Sequence, residues 1–226
     1  MNKKTTAVII ARKGSVRIPG KMHQPINGES MILRKLRQCL AIPGIYQVIV
    51  GSDDESIANQ VRNMGAGFIL RQPEYCDEKS RTVNEVIINM LQGIHDADRI
   101  LWAHPTNPFI DSEHYADAIA TLDEVEKDGY DSLISMNTMH GHFWHQNLSP
   151  INFGALEPRH KIASHLPPVY AQNGGIFIRP YADMLKDGAL MGGRAFIYPM
   201  ESIIGWDIDH PWQLEFAQWY AKQRNL

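Results

Sequence analysis

The chain has 226 residues, of which 44% are hydrophobic and 21% are charged, and its net charge is -3. That composition excludes disordered and fibrous proteins and predicts a globular protein with a core of its own. The weak net charge favours neither a nucleic acid nor a membrane as a partner, so any anion site has to be a local cluster of cations. The apolar runs are far shorter than the roughly 20 residues that cross a bilayer.

The amino terminus and the cysteines bear on the compartment. Residues 1–6 are polar and lead into an apolar run without a cleavage-type segment, which argues against secretion. Cys39 and Cys76 are too few for a disulfide framework and lack the spacing of a zinc site, so both are expected to be reduced. We therefore expect a cytoplasmic protein.

Strand-like apolar segments alternate with helix-like segments along most of the chain. In chain order, the predicted strands are residues 5–11, 46–50, 68–70, 99–103, 131–135, 175–178, 196–199 and 203–208. The predicted helices begin after Ser30, after Ser52 or Asp53, at Thr82, at Ser112, at Pro180 and at Pro211. The alternation predicts an α/β fold in which a single domain, residues 1–226, forms a doubly wound, mainly parallel sheet with ligands at the carboxyl ends of its strands.

Residues 137–168 interrupt this alternation, with many His, Asn and Pro residues and no sustained apolar period. Within them lie large apolar side chains without an evident partner in their own domain: Phe143, Trp144, Leu148, Ile151 and Phe153. Such groups often pack on another subunit, which predicts an inserted arm that makes a dimer contact. A long surface loop is the alternative.

The segment that follows the first predicted strand carries four cationic side chains within ten residues. Gly14 and Gly20 let backbone N–H groups approach an anion, and Arg12, Arg17 and Lys21 can neutralise several phosphate charges. We therefore predict a triphosphate-binding loop, with a solvated basic loop as the alternative. The Gly-Lys-Ser/Thr of a P-loop and the glycine fingerprint of a dinucleotide site are both missing.

Asp207 and Asp209 flank Ile208 at the end of the last predicted strand. The two-residue period of a strand puts both carboxylates on one face. Mg²⁺ commonly takes one or two protein carboxylates and completes its shell with water and phosphate oxygens. We predict Mg²⁺ as the cofactor at this pair; the alternative is that Asp209 only caps the final helix.

Seven motifs in register resemble the acylneuraminate cytidylyltransferases, the CMP-sialic acid synthetases. They are residues 12–21, Ser52-Asp53, Arg71-Gln72-Pro73, Asp77, residues 104–108, Asn173-Gly174-Gly175 and Asp207-Ile208-Asp209. The resemblance covers nearly the whole chain and implies a fold like that of the nucleotide-diphospho-sugar transferases. It also implies transfer of CMP from CTP to a 2-keto sugar acid with release of pyrophosphate, a requirement for Mg²⁺, and a homodimer whose arm reaches the neighbouring subunit's site.

Residue roles follow from the resemblance together with the cationic loop. The predicted nucleotide-binding residues are Ala11, Arg12, Gly14, Ser15, Arg17, Lys21, Arg71 and Thr82. The predicted catalytic residues are Arg12, Lys21, Asp207 and Asp209, the last two as metal ligands. The predicted contacts to the acid substrate are Arg159 in the arm, with Lys161 as its alternative, and Asn173.

Five positions depart from the pattern of the family, among them Lys13 in place of a Gly and Thr82 in place of a Ser. His104 stands where a Gln usually touches the sugar, Val16 replaces a common Lys, and Met22 replaces a common Asn. We expect His104 to contact the acid substrate, because a His differs from Gln in shape and can change charge near neutral pH. A packed, neutral His is the alternative.

These departures leave the acceptor open. A nonulosonic, sialic acid-like acid is expected, for the synthesis of polysaccharide or glycoconjugate precursors. The alternative acceptors are 3-deoxy-manno-octulosonic acid, a phosphonate or a phosphorylated small molecule. A regulatory module that binds a nucleotide without turnover is a further alternative. The presence of Arg12, Lys21, Asp207 and Asp209 argues against it.

Overall fold

The structure is a computed structural model that describes residues 3–77, 79–154 and 161–226. Its strands are β1 Thr5–Ile10, β2 Pro25–Ile26, β3 Glu29–Ser30, β4 Gln47–Ser52, β5 Gly67–Leu70, β6 Arg99–Ala103, β7 Ser132–Met139, β8 Val169–Pro180 and β9 Ala195–Met200. Its α-helices are α1 Met31–Leu40, α2 Ala58–Asn63, α3 Val83–Gln92, α4 Ser112–Val125, α5 Tyr181–Asp187 and α6 Pro211–Arg224.

Within the described residues, seven strands form one sheet in the order β5-β4-β1-β6-β8-β7-β9. The pairs β1–β4, β1–β6, β4–β5 and β7–β9 are parallel, whereas β8 is antiparallel to both β6 and β7. The predicted α/β fold with a mainly parallel sheet is thus confirmed.

Strand β1 shows why the sheet is covered on both faces. Ala7 and Ile9 pack into one apolar cluster, together with residues of α1, whereas Val8 packs into a second cluster, together with residues of α3. Successive side chains of a strand point to opposite faces. A strand whose consecutive residues Ala7 to Ile10 are all apolar therefore needs a layer of helices on each side.

Two helix starts follow from capping chemistry. Thr82 caps α3: its hydroxyl accepts from the backbone N–H of Glu85 at 3.3 Å, and the Glu85 carboxylate accepts from the Thr82 N–H at 2.8 Å. The predicted cap of the second helix, Ser52 or Asp53, was wrong by one residue. Asp54 accepts from the N–H of Ser56 at the start of a 3₁₀ turn that leads into α2.

Strands β7 and β8 are longer than the predicted segments 131–135 and 175–178. Their polar continuations pair with each other, with Asn137 opposite Ala171 and Met139 opposite Val169. The predicted arm therefore begins at residue 140 rather than 137 and connects two antiparallel strands. Polar side chains without alternation hid this extension from the sequence analysis.

The predicted strand 203–208 was wrong, because this segment forms turns and extended coil outside the sheet. Ile203, Ile204 and Trp206 pack against the core partly buried, and Ile208 is fully buried. These apolar side chains cover the core, and the segment that carries them does not pair with any described strand of the sheet. Asp207 and Asp209 therefore lie on a coil segment that joins β9 to α6.

Among the described residues, no helix combines the length and the apolar character that crossing a bilayer requires.

Candidate functional site

A cleft of about 560 Å³ opens at the carboxyl ends of β1 and β6. Of the residues predicted from the sequence, it is lined by Ala11, Arg12, Ser15, Lys21, Arg71 and His104. It is also lined by residues to which the sequence analysis gave no role, among them Tyr75, Arg81 and Thr106. Gly14 lines an adjoining hollow of about 330 Å³ that shares Arg12 and Ser15 with the cleft. Much of the predicted nucleotide site is thus gathered in one place.

The backbone of the cationic loop is fixed at several points. Ala11 N donates to Gly51 O at 2.9 Å, and Lys13 N donates to the Asp53 carboxylate at 2.7 Å. Gly20 adopts a φ of 58°, in the left-handed region that favours glycine. Gly14 is outside that region, and a Cβ there would meet nothing within 4 Å, so the conformational reason for a glycine holds at Gly20 and not at Gly14.

The loop meets the acid segment at Asp209. Lys21 Nζ lies 3.1 Å from Asp209 Oδ1, and an Arg17 guanidinium nitrogen lies 3.6 Å from Asp209 Oδ2. The Lys21 side chain is 12% exposed and the Arg17 side chain 60%. Lys21 is therefore the better shielded partner, and its charge acts through a less polar medium.

The two acids have different electrostatic surroundings. Burial, opposed by a hydrogen bond from Thr106, raises the pKa of Asp207, and the neighbouring charge of Asp209 raises it further. Burial alone would also raise the pKa of Asp209, but the hydrogen bond and charge of Lys21, with the charge of Arg17, more than offset that effect and lower it. Neither acid lines the cleft, yet each contacts a residue that does.

The donor chemistry of this pair fits Mg²⁺. Asp207 and Asp209 supply hard carboxylate oxygens, and half of the Asp209 side chain is exposed. In the described part of the chain, no group of three or more His, Cys, Asp or Glu side chains is gathered for a metal. The remaining ligands of a bound ion would have to be water and phosphate oxygens, which is the usual shell of Mg²⁺ in nucleotide sites.

Arg71 forms part of the wall of the cleft that follows β5. It is 5% exposed, and its Nη2 donates to the backbone oxygen of Tyr75. Burial lowers the pKa of its guanidinium. The Nε of Arg71 has no hydrogen-bond partner among the described residues, so this side chain retains a buried donor in the wall of the cleft.

Thr82 and its neighbour Arg81 lie at the start of α3, where Thr82 caps the helix and Arg81 lines the cleft. Thr82 does not line the cleft, and its hydroxyl belongs to the helix cap, so its predicted contact to the nucleotide stays a prediction. Arg81 does line the cleft, with its guanidinium 5.1 Å from the centre of the Tyr75 ring and 3.3 Å from Glu85. The sequence signal for Arg81 was its place next to a helix start.

Both ring nitrogens of His104 have partners within the protein. Nδ1 pairs with the backbone oxygen of Gly174, and Trp102 Nε1 donates to Nε2 at 3.3 Å. Since Nε2 accepts, Nδ1 carries the proton and the ring is neutral. Burial lowers the pKa of His104. The alternative interpretation, a packed neutral His, fits this geometry better than the expected contact to the acid substrate.

Asn173 is buried, and its polar groups bind the protein. Its Oδ1 accepts from Ser135 Oγ at 2.6 Å and from Gly175 N at 3.0 Å, and its Nδ2 donates to Asn137 Oδ1 at 2.9 Å. The predicted contact of this side chain to the acid substrate does not fit such a network. We assign it instead to holding β7 and β8 together behind His104.

The arm residues predicted to contact the acid substrate are only partly described. Arg159 lies outside the described residues. Lys161 is exposed, its backbone oxygen accepts from His142 Nε2 at 3.0 Å, and it does not line the cleft. Its predicted role therefore stays a prediction.

Solved structures with the same fold span nearly the entire chain. A CMP:2-keto-3-deoxy-manno-octonic acid synthetase complexed with CTP aligns over 98% of this chain and 99% of its own, with a TM-score of 0.67 and 18% identity. The 4-diphosphocytidyl-2C-methyl-D-erythritol synthase of Anaerococcus prevotii aligns over 97% of this chain and 99% of its own, with a TM-score of 0.68 and 11% identity. At these identities the likeness confirms the fold.

Curated relatives share more of the sequence. An N-acylneuraminate cytidylyltransferase A of Danio rerio is 26% identical over 90% of this chain and 47% of its own. An 8-amino-3,8-dideoxy-manno-octulosonate cytidylyltransferase of Shewanella frigidimarina is 32% identical over 48% of this chain and 43% of its own. The matched regions thus span less than half the length of these relatives. The model of the cytidylyltransferase family matches residues 6–149, and the chain therefore belongs to the cytidylyltransferase family.

Proposed function

We propose that this protein transfers CMP from CTP to a sugar acid and releases pyrophosphate. The observation that carries the proposal is the pairing of Lys21 with Asp209 at 3.1 Å beside the cleft that Arg12 also lines. A nucleoside triphosphate with a divalent cation needs cations for its phosphates and carboxylates for its metal at one place. The convergence of the two sets supports that ligand.

The chain's own residues supply binding and electrostatics in this proposal. Arg12 and Lys21 hold the triphosphate and neutralise the charge that develops on the leaving pyrophosphate. Mg²⁺ held by Asp207 and Asp209 would add positive charge at the same oxygens. An acceptor hydroxyl oxygen forms a bond to the α-phosphorus while the bond from that phosphorus to pyrophosphate breaks, and one proton is released. Positioning and charge stabilisation provide most of the rate.

The nucleoside end of CTP is assigned to the rest of the cleft. Ala11 and Ser15 lie in the wall that follows β1, and Arg71 lies in the wall that follows β5. The guanidinium of Arg71 is a cationic donor group in this wall, suited to an acceptor atom of the nucleotide. Gly14 lines the adjoining hollow, and Arg17 lies beside Asp209. Thr82 lies between Arg81 and Val83, which both line the cleft.

The acceptor class is a sugar acid, and within it we propose a nonulosonic, sialic acid-like acid. The match to the N-acylneuraminate enzyme covers 90% of the chain, whereas the match to the octulosonate enzyme covers 48%. Only the longer match must include both halves of the chain, and three of the four predicted acceptor contacts, Arg159, Lys161 and Asn173, lie in the second half. Octulosonic acids remain the second candidate, since those relatives have the higher identity.

We also propose a homodimer formed through the arm, residues 140–168. Trp144, Leu148 and Ile162 are 48%, 77% and 66% exposed. Large apolar side chains that are left exposed are typical of an interaction surface. Light scattering should give twice the mass of the chain, and Leu148→Asp should shift the protein toward the monomer. A monomeric wild type would contradict this part of the proposal.

The reaction is tested with CTP, Mg²⁺ and a panel of acids that includes sialic, octulosonic, phosphonate and phosphorylated compounds. Mass spectrometry should detect a CMP conjugate with one acid, together with an equal amount of pyrophosphate. Asp209→Asn is the inactive control, and ATP, GTP and UTP are the nucleotide controls. Tight binding of CTP without a conjugate from any acid would favour the nucleotide-sensing alternative.

A further inference from the structure

The coil segment that carries Asp207 and Asp209 is held by two separate groups of hydrogen bonds. On one side, Ile208 N donates to Thr106 O at 3.0 Å. On the other side, Gln213 Oε1 accepts from both Asp209 N at 2.8 Å and His210 N at 2.7 Å. A segment outside any sheet has no ladder to fix it, so these contacts determine where the carboxylates lie.

Asn107 makes the link on the first side. It is fully buried, and its Nδ2 donates to Asn173 O at 2.9 Å and to Trp206 O at 3.3 Å. Its Oδ1 has no hydrogen-bond partner among the described residues. A buried amide with an unsatisfied oxygen is costly. The two hydrogen bonds that Nδ2 donates therefore indicate that this position needs an amide, since an apolar side chain would donate neither.

The loop that carries Asn107 is itself anchored by helix α1. Arg34 Nε and Gln38 Nε2 both donate to Pro108 O, at 3.0 Å and 2.9 Å. Lys35 Nζ donates to Ile110 O at 2.9 Å. All three side chains are buried. Hydrogen bonds from α1 thus fix the position of this loop, independently of its contacts with the segment that carries Asp207 and Asp209.

We propose that Asn107 and Gln213 are positioning residues that hold Asp207 and Asp209 in the setting that a divalent cation and a triphosphate require. The proposal rests on the proposed function. Gln213 fixes the backbone at Asp209, and Asn107 fixes the backbone one residue before Asp207. Neither side chain lines the cleft, and each acts through the segment. Groups that orient metal ligands in this way commonly change metal affinity when they are replaced.

Gln213 offers a matched pair of variants. Gln213→Met keeps the length of the side chain and removes the acceptor, whereas Gln213→Glu keeps an acceptor for both backbone N–H groups and is the other residue that a capping box uses at this position. The readout is the affinity for Mn²⁺, measured by electron paramagnetic resonance with an unreactive CTP analogue bearing a methylene between its α- and β-phosphorus. No turnover is needed for this measurement.

We expect Gln213→Met to weaken Mn²⁺ binding about tenfold or more, and Gln213→Glu to stay within about threefold of the wild type. The affinity for the analogue without metal should stay within about twofold in both, since the cationic loop is untouched. Asn107→Leu should weaken Mn²⁺ binding in the same way. It provides an independent second variant if Gln213→Met does not fold.

Equal Mn²⁺ affinity in Gln213→Met and wild type would overturn the inference. Equal weakening in the Met and Glu variants would also overturn it, because a general disturbance of α6 would then be the cause. If Gln213→Met fails to fold, wild-type affinity in Asn107→Leu overturns the inference. A wild-type protein that binds neither the analogue nor Mn²⁺ would overturn the proposed function itself, a different result from unequal binding among variants.

Discussion

Lys21 Nζ and Asp209 Oδ1 lie 3.1 Å apart although 188 positions separate the two residues in the chain. The first follows strand β1, and the second precedes the last helix. Their contact closes the cationic loop against the acid segment. A single nucleotide tail can therefore meet both, and the proposed chemistry depends on this contact.

Lys21→Met should weaken the binding of CTP about 10- to 100-fold, the amount expected for the loss of one charge-assisted hydrogen bond in a shielded place. Arg17→Met is the matched control, because the Arg17 side chain is 60% exposed and lies 3.6 Å from the same carboxylate. Its effect should be at most a few-fold. Isothermal titration in EDTA measures both, and a larger loss for Arg17→Met would contradict the assignment of Lys21.

The free energy of unfolding should rise with pH above neutrality because of Lys35. Its Nζ donates to Ile110 O at 2.9 Å and to Tyr115 Oη at 2.8 Å, and burial lowers its pKa from 10.5 to about 7. The unfolded chain thus binds the proton more tightly than the folded chain between those values. Stability contributed by this group increases as pH rises through that window, by up to about 1.4 kcal/mol per pH unit.

Urea unfolding of wild type and Lys35→Met between pH 7 and pH 8.5 tests this dependence. The lower limit is the folded pKa of Lys35, about 7. The upper limit avoids the Cys39 thiol, which has a pKa of 9.0 in the unfolded chain. The difference in free energy between the two proteins should move in favour of the wild type as pH rises. A difference that stays constant over this range would show that Lys35 is charged in the fold.

His104 should remain neutral with its proton on Nδ1 at pH 7. Trp102 donates to Nε2, Gly174 O pairs with Nδ1, and burial lowers the pKa of the ring. The ¹⁵N shifts of the imidazole should show one protonated and one unprotonated nitrogen at pH 7, and the ring should titrate at a lower pH than an unperturbed histidine ring. His104→Gln should then leave the KM for the acid substrate nearly unchanged. A large rise in that KM would restore the direct contact expected from the sequence.

Gly205→Ala should destabilise the fold by about 1–3 kcal/mol, the usual cost of overpacking. An added Cβ at Gly205 would lie 2.0 Å from Asn137 Oδ1 and 2.4 Å from Asn173 Nδ2, and these side chains are tied into the network behind His104. Gly193→Ala is the control, since its Cβ would meet nothing closer than 4.0 Å. Equal midpoints of urea unfolding for the two variants would contradict this packing.

The sequence predicted the parts of the site whose signals are local. Strand β6 was predicted with its observed bounds, and β1 ends one residue earlier than predicted, because both are apolar runs followed by loop residues. The segment 203–208 was wrongly predicted as a strand, since apolar side chains that cover a core from a coil have the same composition as those of a strand. Asn107 belongs to the motif of residues 104–108, but its contacts could not be predicted from the sequence, because its partners lie 66 and 99 positions away.

Gln213 is a different case. It lies three residues after His210, in the register of a capping box. That spacing was visible in the sequence as a helix start, but nothing local indicated that the same side chain also accepts from Asp209 N. His104 could not be resolved either, since only the fold shows that Trp102 and Gly174 occupy both of its nitrogens.

A crystal structure with CTP and Mn²⁺, with the metal located by anomalous scattering, would show whether the cationic loop and the two acids bind the same nucleotide. We predict one triphosphate held by Arg12 and Lys21, with a manganese peak between its oxygens and the carboxylates of Asp207 and Asp209. A triphosphate bound away from the cationic loop, or a manganese peak remote from both acids, would contradict it.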